Sequence, residues 1–236
     1  MKPEASEAVR ALADRFGLGT DAAARLERLL GLLTADPRAP TAILDPGEAV
    51  DRHLADSLVA LELPAVRKAR TIADLGSGAG LPGLPLAIAL PGARAFLVES
   101  SRRKCAFLER ASAEVGVDNA EVVCTRAEAW PEGRERCDVV TARALARLPV
   151  LVEYAAPLLR VGGSLVAWKG ARAAGEEADG AAAARRLGMG APEAVPVRPF
   201  PAARDLHLYT VRKEAPTPPG FPRRPGAAAK RPLRAA

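Results

Sequence analysis

DLGSGAGLPG, residues 74–83, holds four glycines within eight residues and sits between an apolar run, Thr71–Ala73, and the stretch LPLAIAL. Glycine reaches backbone angles closed to other residues and lets a ligand approach the main chain. A strand, such a loop and then a helix make the layout of a nucleotide pocket. The spacing is G-x-G-x-G (Gly76, Gly78, Gly80) followed by Gly83, and Asp74 stands two residues before the first glycine. Dinucleotide enzymes carry G-x-G-x-x-G at the same place, usually after a small or apolar residue. No G-x-x-x-x-G-K-[ST] phosphate clamp occurs.

Around this loop, short apolar strands alternate with helical stretches. TIADL (71–75), AFLVE (95–99), EVVC (121–124), CDVVTA (137–142) and SLVAWK (164–169) read as strands. LPGLPLAIAL (81–90), with Pro82 in its first turn, RRKCAFLERASAEVG (102–116) and 148–159 read as helices. That alternation predicts an α/β fold, a mostly parallel sheet with helices on both faces. A helix over 172–189 and two final strands, AVPVRPF and LHLYTVRK, follow. Three helical segments come first: 4–16, a second with Leu26, Leu29, Leu30 and Leu33 at helical spacing, and a third from Glu48 with Val50, Leu54, Leu58 and Leu61 on one stripe. The expected organisation is a helical extension over 1–66, a Rossmann-like domain over 67–214 and a basic Pro/Gly-rich tail over 215–236 without regular structure.

Net charge is +6, and from Ala215 onward there are five basic residues and no acidic one. A polyanion, nucleic acid first, is the expected partner. Only 4% of residues are aromatic, so nucleic-acid affinity would rest on phosphate contacts rather than base stacking. The N-terminal stretch has no apolar signal-peptide centre and no apolar run is long enough for a membrane span, which predicts a cytoplasmic protein with no membrane partner. Cys105, Cys124 and Cys137 lack metal-ligand spacing and read as small buried side chains. No metal is expected.

Glu99 ends the second strand, placed to accept hydrogen bonds from both hydroxyls of a ribose. D-x-G-x-G-x-G with an acidic strand-2 end resembles the class I S-adenosylmethionine-dependent methyltransferases. In them the glycine loop meets the amino-acid end of the cofactor, Asp74 favours its positive charge, and residues after strand 3, here Ala127 and Glu128, meet the adenine. The run after strand 4, VVTARALARLP, lacks the [DNS]-P-P-[YFW] motif of exocyclic amine methylation, and Cys137 starts its strand rather than lying beyond its end. An acceptor with a free lone pair, such as guanine N7, fits what remains and needs positioning rather than a base. No catalytic residue is certain. Arg143 is the candidate to hold the base or a phosphate.

Four stretches carry a narrower likeness: RHLADS (52–57), DLGSGAGLPGLPLAI (74–88), TARALARL (141–148) and FPRRPGAAAKRPL (221–233). With the strand-2 ending ES and the following RRKCAFL, the chain resembles the ribosomal small-subunit methyltransferase G (RsmG) family. It departs from that pattern in carrying APTAIL where Asn-Leu-Thr is usual, and Ala227–Ala229 where a proline is usual. The resemblance implies methyl transfer from S-adenosylmethionine, leaving S-adenosylhomocysteine, to N7 of one guanine in the decoding-region loop of 16S rRNA. The cofactor set is then Asp74, Gly76, Ser77, Gly78, Gly80, Leu81, Glu99, Ala127, Glu128 and Arg143. Arg52, His53, Arg143, Lys169, Arg223, Arg224, Lys230 and Arg231 are the candidates for RNA. The substrate is 16S rRNA or the 30S particle, and the enzyme is expected to act as a monomer. On a helical wheel, Arg52 and Asp56 read as a surface i,i+4 pair with His53 half-buried, whereas the resemblance implies that RHLADS forms a wall of the active-site mouth; His207 reads as a sheet residue. Two other readings remain at this stage: a small-molecule or protein methyltransferase, and a non-catalytic RNA-binding protein.

Overall fold

Alternate residues of each central strand are buried on opposite faces of one sheet, which is why the strands are mostly apolar. The structure, a computed structural model, describes residues 3–235. The strands are β1 (Thr71–Leu75), β2 (Arg94–Val98), β3 (Ala120–Val123), β4 (Cys137–Arg143), β5 (Leu159–Lys169), β6 (Glu193–Val197) and β7 (Leu206–Arg212). They lie in the order β3-β2-β1-β4-β5-β7-β6. β1 to β5 are parallel, and β7 runs antiparallel to both β5 and β6. The expected α/β fold is therefore the observed one.

Ile72, Leu97, Val139, Val166 and Leu208 meet one set of helices. That set is α1 (Pro3–Arg15), α2 (Thr20–Ala35), helical turns through 46–62 (together α3), α4 (Gly83–Ala89) and α5 (Arg102–Val115). Ala73, Leu75, Phe96, Val98, Val140, Leu165 and Val211 face the other way, against α6 (Leu148–Ala155) and α7 (Ala174–Arg186). The N-terminal helices share one apolar cluster with the sheet, so Val9, Leu12, Leu26 and Leu30 are fully or almost fully buried.

Three expectations are corrected. The helix from Leu148 ends at Ala155, not Leu159, and β5 begins at Leu159. Pro157 has no N–H to continue the helical ladder, and the chain turns there. Helix α4 starts at Gly83, after the glycine loop rather than within it. Finally, the tail is not irregular throughout. Ala227–Lys230 forms one helical turn, α8, in which Ala228 is buried, and Leu233 just beyond it joins the core. The alanine run favours the helix, and two apolar side chains give it somewhere to dock.

The cysteines also differ from expectation. Cys137 is buried, but Cys124 is exposed just past β3 and is disulfide-bonded to Cys105 in the second turn of α5. Their Cα atoms are 5.9 Å apart, within the range a disulfide spans.

Candidate functional site

The glycine loop is pinned from beneath by Asp74. Its carboxylate accepts hydrogen bonds from Ser77 Oγ (2.6 Å), Gly83 N (3.1 Å) and Thr141 Oγ1 (2.9 Å). The residue is 1% exposed, and burial pushes its pKa up to about 6 against the pull of those three donors. The oxygens expected to face a ligand's positive charge are thus turned to the loop itself. A Cβ on Gly83 would come within 2.8 Å of Asp74 Oδ2 and 2.4 Å of Leu97 Cδ2, so only glycine lets the helix start this close to the strand.

Glu99, one residue past β2, stands opposite. Its Oε1 accepts from Ser100 N and Ser101 N (both 2.8 Å) and its Oε2 from Gly78 N (3.1 Å). The carboxylate is thereby fixed toward a cavity of about 320 Å³, lined by Gly76, Glu99, Lys104, Arg126, Ala127, Glu128 and Tyr154 among others. Of the expected cofactor residues, Gly76, Glu99, Ala127 and Glu128 meet at this cavity. Ser77 and Gly78 serve the hydrogen bonds that shape it, and Gly80 and Leu81 lie in the following turn, where Gly80 N and Leu81 N donate to Ser77 O.

A second cavity of about 300 Å³ opens beyond β4 and β5. Asp56, Arg143, Trp168, Lys169 and His207 line it, and Ala144 lines both cavities. Ala144 is left-handed at φ 53°, a conformation costly for a residue with a Cβ. It carries the chain into Leu145, whose Cδ1 lies 2.6 Å from where a Cβ on Gly76 would stand. Gly76, at φ 66°, admits the close approach.

Arg143 does not reach into the first cavity. Its Nη1 donates to Asp56 Oδ2 (2.7 Å) and to Arg52 O (3.1 Å). This corrects the expected Arg52–Asp56 surface pair: Arg52 instead bonds Glu48 at 3.0 Å. The turns over Val50–Ala55 are of the wide π type, a form often found at functional sites. They rotate Asp56 off the face of Arg52 and toward the sheet, where Trp168 Nε1 donates to its carbonyl at 2.7 Å. Burial raises the Asp56 pKa, with Arg143 opposing.

His53 is 5% exposed, more deeply than the half-buried position expected, and Nε2 is bonded to Thr41 Oγ1 at 2.8 Å. Burial first, then Arg143, pulls its pKa down, which favours the neutral ring, and the side chain is turned inward to Thr41. Lys169 bonds Ala146 O (2.8 Å) and Glu176 (2.6 Å) at the edge of the second cavity. His207 is in β7 as expected, and it also lines that cavity. In the tail, Arg223 makes a two-pronged pair with the buried Glu153 (2.7 and 2.5 Å). Arg224, Lys230 and Arg231 line an open cavity of about 880 Å³.

Sequence reading missed Asp56, Trp168, Leu145 and Glu153 as partners. Each meets its counterpart across at least 69 residues, Leu145–Gly76 being the shortest such separation. Thr41, in the stretch that departs from the family pattern, had no local signal at all.

Known proteins agree with this architecture. The family described as rRNA small subunit methyltransferase G matches residues 35–195. A ribosomal RNA small subunit methyltransferase G from Rubrobacter xylanophilus is 39% identical over 243 residues, covering 99% of this chain and 93% of that protein. One from Roseiflexus castenholzii is 43% identical over 196 residues, covering 82% of this chain and 83% of that protein. Among solved structures, a SAM-dependent O-methyltransferase from Thermotoga maritima shares the fold, with a TM-score of 0.56 at 16% identity over 80% of this chain and 72% of that one. With the family match spanning most of the chain and relatives near 40% identity, the chain belongs to the rRNA small subunit methyltransferase G family.

Proposed function

We propose that this methyltransferase moves a methyl group from S-adenosylmethionine to N7 of a guanine in the decoding-region loop of 16S rRNA. The observation that carries the reading is the pair of cavities meeting at Ala144, one built around a fixed carboxylate and the other walled by Arg143 and Trp168.

The first cavity suits an adenosine. Glu99 is pre-oriented by three backbone donors, two on Oε1 and one on Oε2, which leaves an acceptor site on Oε2 for a ribose hydroxyl. Ala127 and Glu128 form the wall for the base. Gly76 offers bare main chain to the rest of the ligand. When bound, the sulfonium supplies an electrophilic methyl and a neutral leaving group. Asp74 then acts through the loop it holds rather than by touching the cofactor.

The second cavity suits a planar acceptor. Trp168 gives an aromatic wall, and Arg143, held by Asp56, aims guanidinium donors at it. Guanine N7 carries a lone pair and no proton, so alignment is the main demand on these residues. Cys137 plays no nucleophilic part: it is buried at the far end of β4, and burial pushes its thiol up to about 12. The base must leave its stack to enter, as chemistry on a nucleobase generally requires.

RNA contacts are assigned to Arg52, which is exposed, and to Arg224, Lys230 and Arg231 around the tail cavity. His53 and Arg223 have internal partners and act structurally. Among the described residues no helix is long and apolar enough to cross a membrane. The protein works as a cytoplasmic monomer on 16S rRNA or the 30S particle.

Calorimetry with S-adenosylhomocysteine, followed by transfer of labelled methyl to 16S rRNA and to 30S particles from a strain lacking the protein, tests the reading. Binding together with label in RNA is expected. Binding with label only in protein or small-molecule fractions overturns the acceptor.

A further inference from the structure

The tail does more than carry charge, because one of its two anchors, Glu128, lines the first cavity and the other, Glu153, precedes a residue that does. Gly226 N donates to Glu128 Oε1 at 2.8 Å. Arg223 grips Glu153, which is 1% exposed and precedes Tyr154, another residue of that cavity. Arg223 Nη2 also donates to Arg231 O at 2.9 Å, closing residues 223–231 into a loop. Leu233 is buried beyond it.

The outer side of this loop is the open cavity of about 880 Å³. Arg224, Lys230 and Arg231 line it, no acidic side chain does, and Gly226 and Ala227 leave its floor open. Among the described residues, the side chains of these three cations have no hydrogen-bonded or ion-paired partner, whereas Arg143, Arg160 and Arg223 are all paired. Cations gathered around a concavity without counter-charge make a ready site for an anion.

We propose that this cavity binds phosphates of the RNA backbone, and that its occupancy is coupled to the cofactor cavity through Gly226–Glu128 and Arg223–Glu153. The proposal rests on the RNA reading above. A phosphate drawn in by Arg224, Lys230 and Arg231 holds the loop closed, and the closed loop holds Glu128 and the C-terminal end of α6, with Glu153 and Tyr154, in place. Cofactor and RNA then favour each other by the same factor in both directions. A polynucleotide is favoured over an acidic protein segment because the cations ring an open cavity of a size for successive phosphates.

The test measures S-adenosylhomocysteine affinity of the full chain by calorimetry. It is run alone, with a synthetic 16S decoding-region stem–loop, with inorganic tripolyphosphate and with polyglutamate. In the unaltered protein, the stem–loop raises affinity about 5-fold or more. The triple variant Arg224→Ala/Lys230→Ala/Arg231→Ala keeps its affinity for S-adenosylhomocysteine alone within about 2-fold. It lowers the salt slope of stem–loop binding by about 3, near one per cation removed, and abolishes the enhancement. Glu128→Ala, which removes the acceptor for Gly226 N, keeps RNA binding and loses the enhancement relative to its own affinity for S-adenosylhomocysteine alone.

Enhancement by tripolyphosphate to the same extent means free phosphate suffices, and overturns the assignment to an RNA backbone. Enhancement by polyglutamate alone overturns it in favour of an acidic protein. A triple variant with unchanged RNA slope and unchanged enhancement overturns the cavity while leaving the methyltransferase reading intact. Absence of both RNA binding and methyl transfer in the unaltered protein instead removes the reading on which it rests.

Discussion

Arg143 Nη1 lies 2.7 Å from Asp56 Oδ2, tying the end of β4 to a helix 87 residues earlier in the chain. The two side chains are only 16% and 17% exposed, so the pair is a fixed wall rather than a surface contact.

Asp56→Ala should therefore release Arg143 and misalign the acceptor. Loss of a partly buried charged hydrogen bond costs about 2 kcal/mol of stability. Transfer to RNA should fall on the order of 100-fold through positioning. Affinity for S-adenosylhomocysteine should change little, because Asp56 lines the other cavity. Single-turnover rates beside calorimetry check this. Equal loss of binding and rate would move Asp56 to the cofactor side.

At Gly76 the account is steric. A Cβ there is strained at φ 66° and meets Leu145. Gly76→Ala should weaken S-adenosylhomocysteine binding at least about 10-fold, near 1.4 kcal/mol. Adding Leu145→Ala should restore only the part due to the clash, since the backbone strain remains. Full restoration would mean that the left-handed backbone costs nothing.

Asp74 gives a pH signature. Its folded pKa, about 6, lies above the ordinary 3.8, so between those values the folded state keeps a proton the unfolded state has lost. Stability then falls as pH rises through that window, by about 3 kcal/mol for this group. Urea unfolding of wild type and Asp74→Asn from pH 4 to pH 7 isolates it. The difference between the two should change across the window and stay flat above it.

For the cysteines, protein prepared without reductant and then unfolded should show one reactive thiol, Cys137, and three after reduction. Mass spectrometry should recover a linked peptide pair containing Cys105 and Cys124. Cys137→Ala should transfer methyl groups at the wild-type rate.

What was legible in the sequence was local. The apolar strand runs such as Ile72–Ala73 and Phe96–Val98, and the glycines after β1, specified a two-faced parallel sheet and the loop that borders the first cavity. Glu99, Ala127 and Glu128 were placed by their position after strands, and the structure gathers them at one cavity. Contacts made only by folding were not legible. Arg52 looked like the partner of Asp56 because it is four residues away, until a π turn rotated the two apart. Cys105 and Cys124 gave no pairing signal, since spacing alone does not determine which cysteines meet. The tail's prolines masked a docked turn whose anchors, Glu128 and Glu153, lie far back in the chain.

The single most direct measurement is nuclease digestion and mass spectrometry of 16S rRNA after reaction with the purified protein and labelled S-adenosylmethionine, using RNA and 30S particles from a strain lacking it. The account predicts label at one guanine, as 7-methylguanosine, with the yield falling in Asp56→Ala. Label on an exocyclic amine, on a pyrimidine carbon or on no nucleotide at all would contradict it.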